Sequence, residues 1–318
     1  MQNTPNISVV IPLFNESESI PLLHEWILKV MHKNDFSYEV IFIDDGSTDG
    51  SWEVITELVA KDTHTHGISF VKNFGKSQAL HAGFKQCQGK YVVTLDADLQ
   101  DSPDEIPQMV RMLRENRLDM ISGWKKKRYD AMLSKNIPSK IFNWAARKVS
   151  GIRLHDFNCG IKAYQKAVVK TIDVYGDMHR YIPVLAVQKG FRKIGEQVVQ
   201  HQPRQFGETK FGADRFTKGF LDLLTLWFLD RFGKRPMHFF GLWGTFMLLV
   251  GFLFTIYLGI DKLYLDTSGR LITERPQFFI ALTLMIIGVQ FFIAGFLGEI
   301  LLSNRSSQLR YTIAQTTF

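Results

Sequence analysis

Short apolar runs rich in β-branched residues alternate with amphipathic stretches along the first third of the chain. The apolar runs predict buried strands at residues 7–11, 38–43, 68–71 and 91–95. The stretches between them predict helices at residues 17–31, 52–61 and 76–86. Alternation of this kind is typical of a mostly parallel sheet covered by helices on both faces. The N-terminal part is therefore predicted to be an α/β domain whose ligands collect at the carboxyl ends of the strands.

The hydrophobic pattern changes beyond residue 216. Residues 237–260 are a run of 24 without Asp, Glu, Lys or Arg, and residues 277–298 are a second run of 22. A helix needs roughly 20 apolar residues to cross a bilayer, so both runs predict transmembrane helices rather than buried core helices. The mixed residues 216–232 predict an interfacial helix. The chain is thus predicted to consist of an α/β domain, an interfacial region and a membrane domain, at residues 1–215, 216–236 and 237–318, with spans at about 237–260 and 277–302.

The distribution of charge indicates the orientation of the chain in the membrane and the class of molecule that it binds. The 318 residues carry a formal net charge of +7, which suits nucleic acid, a phosphorylated nucleotide or an acidic lipid surface. Basic side chains such as Arg235 and Arg305 flank the apolar runs, and a basic amphipathic helix is predicted at residues 133–149. The positive-inside rule places the α/β domain and both termini in the cytoplasm. No nucleic-acid motif accompanies these residues, which disfavours that partner.

The start of the chain and its cysteines limit the compartment. A short polar start leads directly into the first strand, without the pattern of a signal peptide. Cys87 and Cys159 lie far apart, which indicates reduced thiols rather than a disulfide framework or a metal cluster. We therefore expect the N-terminal domain to stay in the cytoplasm.

The strongest chemical signal is an acidic motif directly after the predicted fourth strand. Asp96 and Asp98 leave the strand on alternate residues, and Gln100 adds an amide oxygen. Hard oxygen ligands at this spacing suit Mg²⁺ or Mn²⁺, which commonly bind one or two carboxylates together with substrate phosphates. The sequence therefore predicts a divalent cation site formed by Asp96, Asp98 and Gln100, although the short motif alone is also compatible with a solvated acidic turn.

Two further polar groups end strands at the same predicted edge. Asp44 and Asp45 precede Gly46, which allows a tight turn, and Asp49 is expected to cap the next helix. Pro12, Asn15 and Glu16 close the first strand, and the latter two could also serve as helix caps. The chain contains no Gly-x-Gly-x-x-Gly or Walker motif, which argues against a dinucleotide enzyme or an NTPase.

These motifs carry a family resemblance. Val-Ile-Pro-Leu-Phe-Asn-Glu at 10–16, Asp-Asp-Gly-Ser-Thr-Asp at 44–49 and Asp-Ala-Asp-Leu-Gln at 96–100 resemble the inverting family 2 glycosyltransferases of GT-A fold. Together with Asp-Phe-Asn-Cys-Gly at 156–160 and Arg-Gln-Phe-Gly-Glu-Thr-Lys-Phe at 204–211, they resemble the polyprenyl-phosphate glycosyltransferases. That group includes dolichyl-phosphate mannose synthases and bactoprenol glucosyltransferases. The resemblance covers roughly residues 7–211, and the two apolar runs fit its two-helix branch.

The resemblance implies roles for individual residues. The nucleoside and its diphosphate would contact Pro12, Asn15, Glu16, Asp44, Asp45 and Asp96, and the cation Asp96, Asp98 and Gln100. Arg204 and Lys210 lie in a loop that in the family closes over the donor phosphates. Arg128, Lys135 and Ser139 correspond to positions that grip the lipid phosphate, although Lys135 stands where many relatives have Arg, so that contact lacks a bidentate fork. Asp156 would lie near the acceptor, as a base or to orient substrate.

The implied reaction is an inverting sugar transfer from a nucleotide-sugar to a polyprenyl phosphate at the cytoplasmic face of a bacterial-type inner membrane. The two-span branch favours UDP-glucose, but Asp44 suits uracil or guanine, so a GDP-mannose-dependent synthase is an alternative. A non-catalytic nucleotide-sugar-binding membrane module is a rival that the intact acidic motif disfavours. A processive polysaccharide synthase is disfavoured because Gln-x-x-Arg-Trp is absent. Membrane surfaces of this kind often self-associate, which makes a homo-oligomer possible.

Overall fold

A computed structural model describes residues 5–126, 147, 151–176, 178–203, 236–265, 271–303 and 313–316. The chain divides into two compact units. The first comprises Met1–Leu223 together with Leu309–Phe318, and the second comprises Leu224–Gln308.

The first unit is built on one sheet, to which the described residues contribute eight strands. In chain order, β1 to β8 are Ile7–Leu13, Tyr38–Asp44, Thr65–Phe70, Tyr91–Thr94, Met120–Trp124, Lys162–Gln165, Ile194–Val198 and Ile313–Thr316. Their order across the sheet is β7-β5-β6-β4-β1-β2-β3-β8. β1 is parallel to β2 and β4, β2 to β3, and β5 to β7. β6 is antiparallel to β4 and β5, and β8 is antiparallel to β3. The predicted mostly parallel α/β architecture is confirmed.

Helices connect the strands. In chain order, α1 to α6 are Ile20–Lys33, Ser51–Lys61, Lys76–Gln86, Ile106–Glu115, Lys166–Thr171 and Ile182–Gln188. Short 3-10 turns occur at Pro103–Glu105, Met178–Tyr181 and Ile272–Glu274. The first helix begins at Ile20 rather than at residue 17. Pro21 explains this start, because proline lacks an amide hydrogen and fits only the first helical turn.

The central strands are buried on both faces, which explains their continuous apolar runs. All seven residues of β1 are buried. Ile7, Val9 and Ile11 join the hydrophobic cluster that includes α1. On α3, a Cβ atom at Gly83 would meet the side chains of Val10 and Ile43, so that helix approaches the sheet closely at this point.

The second unit contains two long helices, α7 (Pro236–Ile260) and α8 (Pro276–Ser303). Both are long and apolar enough to cross a membrane by length and composition, and they coincide with the two predicted spans. Their backbones approach closely, because a Cβ atom at Gly244 would lie 2.6 Å from the carbonyl oxygen of Gly288. The predicted interfacial residues 216–232 lie outside the described residues, as does nearly all of the helix predicted at 133–149.

Candidate active site

The parallel strands β1, β2 and β4 bring three polar loops to one edge of the sheet. Leu13 at the end of β1 pairs with Asp44 at the end of β2, and Thr94 at the end of β4 pairs with Val10. The loops that follow carry Asn15 and Glu16, Asp45 and Gly46, and the acidic motif at 96–100. The structure therefore brings together the nucleotide- and metal-binding residues predicted in this part of the chain.

The loop after β1 is joined to the loop after β2. Asn15 adopts a left-handed conformation with φ of 54°. Its amide donates to Ser47 Oγ at 2.8 Å, and its Oδ1 accepts from the amide of Thr48 at 2.8 Å. The Glu16 amide donates to Ser51 Oγ at 3.0 Å. Asn15 and Glu16 therefore help to shape the joined loops, beside any role in binding.

Asp44 and Asp45 are almost fully buried and accept hydrogen bonds from different directions. Asp44 accepts from the Ser47 amide at 3.0 Å and from Ser69 Oγ at 3.3 Å. Asp45 accepts from the amides of Phe74 and Gly75 at 2.7 and 2.8 Å, which fixes the loop between β3 and α3. Burial raises the pKa of Asp45 to about 6, although these two amide hydrogen bonds oppose the shift.

The structure explains why glycine occupies position 46 and aspartate occupies position 49. Gly46 has φ of +73°, and a Cβ atom there would lie 2.6 Å from Lys72 Cα, so the two backbones are in contact. Asp49 accepts from the Ser51 amide and from the Ser17 amide, each at 3.1 Å. The N-cap of α2 is Gly50, which has no capping side chain, so the expectation that Asp49 caps this helix is wrong. Asp49 instead precedes the cap, where it binds the amide of the first helical residue, Ser51, and holds the loop after β1 through Ser17.

The acidic motif follows β4 in a tight turn. Asp96 forms an ion pair with Lys76, and its side chain is 31% exposed. Burial works against ionisation of Asp96, but the charge of Lys76 outweighs it and lowers the pKa to about 2. Leu99 has φ of 58°, and the Gln100 amide donates to Asp98 Oδ1 at 3.3 Å. Asp96 is therefore ionised, and its carboxylate is paired with the cationic side chain of Lys76.

The donor set fits a divalent cation that shares its shell with a substrate. No three His, Cys, Asp or Glu side chains among the described residues form a group that could hold an ion alone. The carboxylates of Asp96 and Asp98 and the side-chain amide oxygen of Gln100 offer hard oxygen ligands. Mg²⁺ and similar cations bind to one or two such carboxylates and complete their shell with water and phosphate.

The loop before β6 packs directly against the acidic motif. A Cβ atom at Gly160 would lie 2.6 Å from Asp96 Oδ2 and 2.7 Å from Asp101 Oδ2. Thr94 Oγ1 donates to the Gly160 carbonyl at 3.0 Å. The side chain of Asp156 is buried in this loop, where its Oδ1 accepts from the Asn158 amide at 3.0 Å. Asp156 is thus buried in the loop whose Gly160 packs against the acidic motif.

Sequence reasoning missed three lysines that surround these carboxylates. Lys125 lies 2.6 Å from Asp101, and burial, which lowers the pKa of Lys125, is outweighed by that carboxylate, which raises it. Lys162 on β6 donates to the Cys159 carbonyl, and burial lowers its pKa. Lys76 begins α3. Their positions at strand or helix ends of one sheet edge were the available signal.

The sequence matches the family model for glycosyl transferase family 2 over residues 8–173. The chain belongs to glycosyl transferase family 2. This family 2 chain is 35% identical over 297 residues to a dodecaprenyl-phosphate galacturonate synthase of Rhizobium johnstonii, with 93% of this chain and 87% of the relative covered. It is 33% identical to an undecaprenyl-phosphate 4-deoxy-4-formamido-L-arabinose transferase of Shewanella sediminis, with 94% and 87% covered. The expected family and glycosyltransferase activity are confirmed.

Solved structures support the fold of this family 2 glycosyltransferase. Glucosyl-3-phosphoglycerate synthase of Mycobacterium tuberculosis, in complex with UDP, matches with a TM-score of 0.55 at 18% identity, over 70% of this chain and 80% of that one. The same synthase with Mn²⁺, UDP and glucosyl-3-phosphoglycerate matches with a TM-score of 0.53 at 17% identity, over 71% and 80%. At these identities the likeness shows the GT-A type of fold alone.

Five predicted site residues lie outside the described part of the chain. They are Arg128, Lys135, Ser139, Arg204 and Lys210. Their assignments to the lipid phosphate and to the donor phosphates stay predictions.

Proposed function

We propose that this glycosyltransferase moves a sugar from a UDP-linked donor onto the phosphate of a polyprenyl phosphate at a membrane surface. The similarity to the Rhizobium johnstonii and Shewanella sediminis enzymes carries this proposal, because it extends over 93% and 94% of the chain rather than the family domain alone. Both names specify a polyprenyl phosphate as the molecule that carries the sugar. The matched length is large enough to include the two apolar helices.

The path of the chain supports a membrane hairpin. Strand β8 follows both apolar helices in sequence and pairs with β3 of the first unit. A strand that joins this sheet has to lie on the same side of a membrane as the α/β domain. Two crossings satisfy that condition, and the flanking basic residues favour the cytoplasmic side. We propose an inner-membrane location with the catalytic domain and both termini in the cytoplasm.

The strand-end loops supply the donor site. We assign the nucleoside to Pro12, Asn15, Glu16, Asp44 and Asp45, the last of which also holds the loop before Lys76. We assign a Mg²⁺ or Mn²⁺ ion to Asp96, Asp98 and Gln100, where it would neutralise negative charge on the departing diphosphate. Arg204 and Lys210 are assigned to the same phosphates, because fixed cations stabilise a leaving group whose charge develops in the transition state.

The acceptor needs little activation. A phosphate monoester has a second pKa near 6, so at neutral pH its oxygen is already an anionic nucleophile. That oxygen attacks the anomeric carbon, the bond to the diphosphate breaks, and the configuration inverts. Asp156 is buried and accepts from the Asn158 amide, which favours an orienting role over that of a base. We assign the acceptor phosphate to Arg128, Lys135 and Ser139.

The identity of the sugar is proposed from the relatives. The two named sugars are galacturonate and 4-deoxy-4-formamido-L-arabinose, and neither is the glucose that the resemblance favoured. We therefore propose a modified sugar of this kind as the donor sugar. GDP-mannose is the second candidate, because Asp44 suits guanine as well as uracil.

A transfer assay tests the proposal. Full-length protein in nanodiscs is given undecaprenyl phosphate, Mn²⁺ and one of four labelled donors: UDP-galacturonate, UDP-4-deoxy-4-formamido-L-arabinose, UDP-glucose or GDP-mannose. We expect a lipid-extractable product from one of the two modified sugars, lost with EDTA and in Asp98→Asn. A product only from UDP-glucose or GDP-mannose would overturn the sugar assignment. No product from folded protein with any donor would count against the function.

A further inference from the structure

Asp101 is a fully buried carboxylate directly after the acidic motif. Its exposed fraction is 0%. Its Oδ1 lies 2.6 Å from Nζ of Lys125, whose side chain is 13% exposed, and its Oδ2 accepts from the Ile161 amide at 3.1 Å. Two opposite charges are therefore held together in a nearly dry place.

This ion pair joins the loops that surround the acidic motif. Asp101 lies in the loop after β4, Lys125 follows the end of β5, and Ile161 precedes β6. The backbone of Asp101 also forms an antiparallel bridge with His201, and the Gln202 amide donates to the Gln100 carbonyl at 2.9 Å. The segments after β4, after β5, before β6 and after β7 therefore meet at Asp101.

Asp101 is linked to both ends of the acidic motif. A Cβ atom at Gly160 would be 2.7 Å from Asp101 Oδ2 and 2.6 Å from Asp96 Oδ2, so this glycine packs between the two carboxylates. On the other side, Asp101 is bonded in sequence to Gln100, whose amide closes the turn with Asp98. A shift of the Asp101 carboxylate would therefore displace the proposed cation ligands.

We propose that the Asp101–Lys125 pair is a positioning device that holds Asp96, Asp98 and Gln100 in the arrangement that binds the divalent cation. A buried ion pair adds little net stability, since desolvation of both charges offsets their attraction. The position of this ion pair between the four segments is therefore better explained by its effect on the geometry of these segments than by a gain in stability. The inference rests on the proposed function, because it requires the cation assigned there to the acidic motif.

A binding experiment on the full-length protein in nanodiscs separates this role from a general effect on folding. Mn²⁺ is titrated in the presence of saturating UDP, and free Mn²⁺ is measured by electron paramagnetic resonance. The variants are Asp101→Asn, Lys125→Met and the double variant. Asp104→Asn is the matched control, because Asp104 is three residues further along the chain and its Oδ2 accepts from Trp26 and Ser102, away from Lys125.

We expect each single variant to raise the Mn²⁺ dissociation constant by about tenfold, the size typical of residues that orient metal ligands. The double variant should bind Mn²⁺ no more weakly than the single variants, because the two residues act as one pair. Asp104→Asn should bind Mn²⁺ like the wild type. The affinity for UDP without metal should be the same in all variants.

Several results would overturn the inference. One is a folded Asp101→Asn protein that binds Mn²⁺ within twofold of the wild type, and another is a double variant whose loss is the product of the two single losses. If Asp101→Asn fails to fold because Lys125 is left unpaired, the double variant, which has no unpaired charge, tests the inference alone. Mn²⁺ binding by the double variant within twofold of the wild type would then overturn it. A wild type that does not bind Mn²⁺ would overturn the proposed metal site together with this inference.

Discussion

Gly160→Ala should reduce activity much more than stability. The added Cβ atom would lie 2.6 Å from Asp96 Oδ2, whereas ordinary contacts begin at 3.4 Å, so the two groups must separate by about 0.8 Å. Overpacking of this kind costs about 1–3 kcal/mol of stability. A displacement near 1 Å in a catalytic group can lower a rate by on the order of 100-fold. We expect a loss of that size in kcat and only a moderate fall in Tm.

The assay compares kcat and Tm of the wild type, Gly160→Ala and Gly176→Ala. Gly176 is a matched control, because its φ of +54° makes alanine unfavourable but no heavy atom lies within 4 Å of an added Cβ atom. The left-handed conformation costs alanine roughly 1–2 kcal/mol, so the control should lose similar stability. It should keep its activity, because nothing near Asp96 moves.

A Gly160→Ala protein with near-wild-type kcat would refute the reasoning. It would mean that the loop before β6 can move away from Asp96 without consequence. Equal losses of activity in both variants would also refute it, since the effect would then follow stability rather than the position of the carboxylate.

Three further predictions concern the loops after β1 and β2. Burial raises the pKa of Asp45 from 3.8 to about 6, so the stability that this group contributes is present below about pH 4 and is lost as the pH rises through about 6. The Tm of the wild type minus that of Asp45→Asn should therefore increase on acidification from pH 7 to 4, and a difference that does not change with pH would contradict this prediction. Gly46→Ala should unfold the domain at lower temperature by calorimetry, because both its φ of +73° and its contact with Lys72 exclude a Cβ atom; an unchanged Tm would count against this packing. Asp49→Ala should cost about 1 kcal/mol in chemical unfolding, because the amides of Ser17 and Ser51 lose their acceptor, and no loss would show that these hydrogen bonds are dispensable.

The central strands and the strand-end motifs were predictable because their signals are local. The apolar runs of β1 and β2 are buried on both faces, so they read as strands without knowledge of their neighbours. Asp44 and Asp96 follow such runs directly. Since parallel strands end at one edge, their proximity followed from the fold class alone.

The half of the site formed by β5 and β6 could not be predicted in the same way. β6 has only four residues and enters the sheet antiparallel between β4 and β5. A short run gives no information on its pairing partner. The contacts of Gly160 with Asp96, and of Lys125 with Asp101, depend on this pairing across many residues of sequence. Lys76 was also missed, because its ion pair with Asp96 joins residues that are 20 apart in the sequence.

The central claim is that the chain joins a sugar to a polyprenyl phosphate through a single phosphate, with inversion. The most direct test is mass spectrometry and NMR of the lipid product formed from undecaprenyl phosphate and the active donor. We predict a mass equal to undecaprenyl phosphate plus one glycosyl residue, and an anomeric configuration opposite to that of the donor. A product with two phosphates, or one that retains the donor configuration, would contradict the account.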